Sequence, residues 1–119
     1  LTKLLQFDPD LLSDHFDDHG LDFNATDEFQ YEAMARDFLG KPLPGTPVDC
    51  KACRHCNCKA WHTIHECRKG DDRIRYDTAT NEFAMENIGR YIRTYFKPNT
   101  SVHRFRTNSQ YFHDECEIK

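Results

Sequence analysis

No run of apolar residues in this 119-residue chain approaches the roughly 20 needed to cross a bilayer, and no secretory leader with a small-residue cleavage site is visible. The chain reads as a domain excised from a larger protein. A positive excess is also missing: 16 Lys and Arg stand against 20 Asp and Glu, a net charge of −4. That balance excludes nucleic-acid binding through bulk charge, so any phosphate site must be local. Between Asp8 and Glu32 Lys and Arg are missing altogether, while nine acidic side chains are present; most positive charge falls between Lys51 and Arg106. Such an acidic half is first of all a solvated helix surface, and beyond that a means of attracting a basic partner or turning nucleic acid away from one face. There is no internal repeat and no low-complexity tract.

What is present is enough for one core. Hydrophobic residues make up 38% of the chain, with nine Phe and five Tyr, and its length fits a single domain spanning 1–119. FDPDLLSDHFDDHG predicts a helix capped by Asp8, with Pro9 at its first position, Gly20 as its stop and Leu11, Leu12 and Phe16 as its apolar stripe. A second helix is expected from a Thr26 cap to Gly40, burying Phe29, Ala33, Met34 and Phe38. KPLPGTP, with three prolines in seven residues, ends the helical half. After a cysteine-rich insert at 49–68, period-two alternation in DRIRYD, EFAMEN and YIRTYFK predicts a β-meander, with DTATN as a turn. VHRF and QYF read as short edge strands or a docked tail. The fold class is therefore α+β, N-terminal helices packed on a small antiparallel sheet, with one sheet face on the helices and the other open.

Two groups of residues suit chemistry on a phosphodiester. His15 and His19, spaced i, i+4 on the first helix, have side chains that transfer protons near neutrality. Arg75, Arg93 and Lys97 on the strands suit charge on phosphoryl oxygens, and Thr94 adds a neutral hydrogen bond. Each group has a plainer reading. The histidines are an exposed pair raised in pKa by Asp14, Asp17 and Asp18, and the cations are the charged face of a sheet. Strict alternation also sets Arg93, Tyr95 and Lys97 on one face and Thr94 on the other, unless a bulge re-aims it.

The insert carries Cys50, Cys53, Cys56, Cys58 and Cys67, with His55, His62 and His65 close by. Soft ligands at this spacing suit a structural Zn²⁺, and the absence of a terminal Cys-Pro argues against an iron–sulfur cluster. Disulfides are the alternative, since six cysteines is an even count and Cys116 can pair with the insert. Zinc is favoured here because residues two and three apart are poorly placed for mutual disulfides.

Taken in order, HFDDHGLDF, FQYEAMARDFLG, DRIRYDTATNEF, IRTYFKP and NSQYF resemble the ribonuclease toxin domains of the barnase/EndoU/colicin/RelE-like (BECR) superfamily. These are carried at the C-termini of bacterial polymorphic and contact-dependent inhibition toxins. The resemblance spans nearly the whole chain except the cysteine insert, and NEFAMEN departs from the family's NEFGV. It implies an endoribonuclease, metal-independent in catalysis and often aimed at tRNA, that leaves a 2′,3′-cyclic phosphate. It further implies a monomeric domain, secreted or delivered as part of a larger toxin, acting in the target-cell cytoplasm and neutralised by a cognate immunity protein. Carried over residue by residue, His19 and His15 are the helix histidines, with His19 the first choice as general acid or base. Arg75, Arg93 and Lys97 hold phosphate and Thr94 orients it. Two other readings stand beside this one: a zinc-stabilised protein-binding module without catalysis, and a metallohydrolase built on the Cys/His insert.

Overall fold

Asp8 caps the first helix by accepting a 3.0 Å hydrogen bond from the Asp10 amide, and Pro9 takes the first position, where no amide hydrogen is needed. In this computed structural model, which describes residues 4–118, helix α1 runs Pro9–His19 and passes into a 3₁₀ turn, Gly20–Phe23. Gly20 is required for close approach, because a Cβ there would lie 2.6 Å from the Phe16 ring. Helix α2, Glu28–Gly40, is capped one residue later than expected. Asp27 accepts from the Gln30 amide at 2.7 Å, and Gln30 reaches back to the Thr26 amide.

The buried face of α2 is Tyr31, Ala35, Phe38 and Leu39; of the predicted set Phe38 is among them, Met34 is half-buried against the core, and Phe29 is 69% exposed. Both sets fit a helical period. The choice is made by the Tyr31 hydroxyl, which donates to the Tyr95 carbonyl inside the core and is satisfied only in this rotation. On α1 Leu12 is buried, while Leu11 faces outward.

Six strands follow in simple antiparallel order: β1 (Val48–Asp49), β2 (Lys59–Trp61), β3 (Ile64–Lys69), β4 (Asp72–Asp77), β5 (Glu82–Asn87) and β6 (Ile92–Phe96). The last three are the predicted meander. The cysteine segment is a loop over 50–58 and then builds β2 and β3, so it also extends the sheet. The outer edge of β6 is covered by the N-terminal segment, where Phe7 bridges Ile92 and the Ile92 amide donates to the Gln6 carbonyl at 2.8 Å.

The second sheet face, expected to be open, is covered. The tail beyond β6 is docked on this face, the second of the two expectations for it, as two helices, α3 (Thr100–His103) and α4 (Asn108–Cys116), with no edge strand. Thr107 caps α4 by accepting from the Gln110 amide, and Phe112, His113 and Cys116 turn one stripe inward. Two cores result, one on each side of the sheet. Phe7, Leu12, Tyr31, Phe38, Ile92 and Tyr95 pack beneath α1 and α2; Ile74, Tyr76, Phe83 and Phe112 pack beneath α4.

All six cysteines are paired, as Cys50–Cys58, Cys53–Cys56 and Cys67–Cys116. This differs from the five-ligand zinc set predicted above. Cys67 is drawn away to Cys116 in the second core, and the three-residue spacing of Cys53 and Cys56 accommodates a bridge after all. The Cys67–Cys116 bond closes a loop of 49 residues between β3 and α4, for which chain entropy gives about 4 kcal/mol. Replacing both cysteines with alanine is expected to lower stability by about that amount, read as an earlier midpoint in urea denaturation.

Candidate functional site

At the C-terminal end of β6 a cleft of about 420 Å³ opens between the α1–3₁₀ junction and helices α3 and α4. His19 lines it from the end of α1 and Lys97 from just beyond β6. The His19 ring rests 5.3 Å from Phe96, and its Nδ1 lies 3.8 Å from the Asp22 carboxylate, an ion-pair distance too long for a hydrogen bond. Asp22 also accepts from the Lys97 amide at 3.4 Å, so the 3₁₀ turn ties the imidazole and the lysine to one carboxylate. The strand end is fixed from the other side. Asn81, at φ 58° in the β4–β5 turn, donates its side-chain amide to the Pro98 carbonyl at 3.1 Å and accepts from the Tyr76 hydroxyl. The Lys97 ammonium sits 5.5 Å from the centre of the Phe23 ring, a cation–π contact.

The far wall is His103 and Tyr111, stacked with ring centres 4.6 Å apart. The Phe105 amide donates to His103 Nδ1 at 3.0 Å, so that nitrogen carries no proton. Nε2 then bears the hydrogen and donates to Asn108 Oδ1 at 2.8 Å. With both nitrogens engaged, His103 is a fixed wall of the cleft. Burial, reinforced by Glu115 and Asp114, pushes the Tyr111 phenol up to about 12, which leaves it a hydrogen-bond donor at neutral pH.

The other predicted residues fall elsewhere. His15 packs its ring against Phe7 at 5.1 Å, under the N-terminal segment. Its pKa is lowered, not raised: burial is the largest cause and His19 adds to it, outweighing Asp18 and Asp14. Arg93 is the extra residue of a β-bulge, since Met85 pairs with Thr94 and Glu86 with Ile92. The bulge turns both Ile92 and Tyr95 into the first core and leaves Thr94 on the side of Phe96. Thr94 does not line the cleft. Arg93 pairs with Asp72 at 2.5 Å, about 13 Å along the strand from Lys97. A separate, shallower hollow, formed with Arg90 and Asp8, takes in Arg93.

Arg75 is farthest from the expected role. It is 2% exposed, donating to Glu66 at 2.9 Å and to the carbonyls of Phe38 and Lys41 at 2.8 and 3.0 Å. Arg73 beside it bonds Glu86, Glu66 and the Leu39 carbonyl. The two guanidiniums thus satisfy carbonyls left bare at the C-terminus of α2, where positive charge also meets the negative end of the helix dipole. Of the six predicted residues, the cleft brings together His19 and Lys97. Asp22, His103 and Tyr111 went unnamed as site residues; Tyr111 lay within the NSQYF motif.

Near the other end of α4, His65 and His113 meet with ring centres 5.7 Å apart. Burial lowers both pKa values, Asp77 partly offsetting it at His65 and His65 reinforcing it at His113. With His15, these groups bind fewer protons folded than unfolded as pH falls. The stability they contribute is fully present above the unfolded value of about 6.5 and is lost as pH drops through their folded values. The urea midpoint is therefore expected to fall as pH is taken from about 7.5 to about 5.5; a flat profile would contradict it.

No protein-family model and no curated protein matches the sequence.

Proposed function

We propose that the domain is an endoribonuclease that cuts by transesterification, the RNA 2′-hydroxyl attacking its own phosphodiester. The observation that carries this reading is the cleft shared by an imidazole, an ammonium and a phenol that keeps its proton. A base takes the proton from the 2′-hydroxyl, the 2′-oxygen–phosphorus bond forms, the bond to the 5′-oxygen breaks, and an acid returns a proton to that oxygen. The products are a 2′,3′-cyclic phosphate and a 5′-hydroxyl. Because the nucleophile is the substrate's own, the protein's work is proton transfer and stabilisation of phosphoryl charge.

His19 is the proton-transfer group, with the Asp22 carboxylate 3.8 Å from its Nδ1. Lys97 and the Tyr111 hydroxyl stabilise the phosphorane oxygens, and the Phe96 and Tyr111 rings offer surfaces on which a base can stack. The acidic exterior of α1 then turns away RNA except at the cleft, and it suits a basic inhibitor protein such as a cognate immunity partner. Three disulfides fit a domain that passes through an oxidising compartment, consistent with secretion as part of a larger toxin.

Sequencing the RNA ends from cells that express the domain tests substrate class directly. Discrete cuts in tRNA, absent from cells expressing His19→Ala, are expected; an unchanged RNA population would remove the proposal.

A further inference from the structure

Away from the cleft, the β2–β3 hairpin folds His65 back over the cysteine segment. Sγ of Cys50 lies 3.7 Å from His65 Nδ1, and Cys50, Cys58 and His65 each offer a ligand atom within 4.8 Å of the others. Tetrahedral Zn²⁺, with bonds of about 2.0–2.3 Å, holds its ligands roughly 3.5 Å apart, so these three need only small shifts. Next to them Cys53 Sγ and His113 Nδ1, 3.8 Å apart, supply a candidate fourth donor.

We infer that this cluster is a redox-gated zinc site, closed as a disulfide in the oxidised chain and metal-binding once Cys50–Cys58 is reduced. A dithiol reductant delivers two electrons and two protons, breaking the S–S bond to leave two thiols and departing as its own disulfide. Zn²⁺ then displaces both thiol protons to solvent and takes the two thiolates and the neutral His65 imidazole, a set whose charges cancel in a half-buried setting. The metal joins the two segments that the disulfide joined, the end of β1 and the start of β2, and adds β3 through His65. His65 is the residue that favours a metal over bare thiols, since a purely covalent clasp has no use for an imidazole at this distance. The inference is independent of the ribonuclease reading, and its readout is metal, not activity.

The test titrates the full chain, oxidised and after dithiol treatment, with Zn²⁺ and with Co²⁺ as a spectroscopic probe, following fold by circular dichroism. The oxidised chain is expected to bind neither ion. The reduced chain should bind one Zn²⁺, give thiolate-to-cobalt charge-transfer absorption, and lose affinity by at least about tenfold in His65→Ala. If reduction loosens the fold, added Zn²⁺ should restore it. Absence of both binding and refolding overturns the site, and so does undiminished affinity in His65→Ala.

Discussion

Arg75→Ala is expected to cost about 3–5 kcal/mol, because it strips one partner from a buried ion pair and removes a charged donor from the carbonyls of Phe38 and Lys41. Its guanidinium bonds Glu66 and the carbonyls of Phe38 and Lys41, all beneath the end of α2. Glu66 keeps Arg73 at 3.0 Å, and the Phe38 carbonyl keeps only the longer 3.3 Å bond from the Lys41 amide. Against a typical total of about 5–15 kcal/mol, the variant should lose much of its margin, read as a urea midpoint lower by roughly 2 M. Lysine should not rescue it, since one ammonium cannot span the geometry of a planar fork. The sequence reading assigns Arg75 to phosphate instead. On that assignment the variant would unfold like the parent and lose only RNA affinity, so denaturation alone separates the two roles.

His19→Ala is expected to reduce RNA cleavage by about 10²–10⁴-fold, the usual worth of a positioned acid–base group, with little change in stability. The side chain is partly exposed and sits against Phe96 and Asp22 at the cleft. His15→Ala should do the reverse. That ring packs against Phe7 in the first core, so its loss should lower the urea midpoint and spare the rate. Measuring both properties in both variants makes a cross-over pattern the expected result. Equal loss of activity in the two would return His15 to the site.

How legible this was depended on how local each signal is. Asp8-Pro9 and the β4–β5 turn were readable because cap and turn chemistry act within a few residues. The alternation Arg73-Ile74-Arg75-Tyr76-Asp77 correctly gave a strand, yet the same pattern serves a face in water or one under a helix end. Only the arrival of α2 over that face decides it. In the same way, Phe29 and Tyr31 competed for the core on equal periodicity, and a carbonyl 64 residues away chose Tyr31. The bulge at Arg93 depends on pairing with β5, so strict alternation misassigned Ile92 relative to Tyr95. Helix α4 was missed, although Thr107 before a stripe of Phe112 and Cys116 carried a cap and an i, i+4 signal. At the cleft, His19 and Lys97 were named from the chemistry of their side chains, and the fold brings them together. His103 was beyond reach, because its place and its tautomer are set by Phe105 and Asn108 in the finished fold.

End-group analysis of RNA incubated with the purified, oxidised domain tests the proposed cleavage at this cleft. Fragments ending in 2′,3′-cyclic phosphate and beginning with 5′-hydroxyl are expected from the parent chain and not from His19→Ala of equal stability. Intact RNA with the folded parent in excess, or identical fragments from His19→Ala, would contradict it.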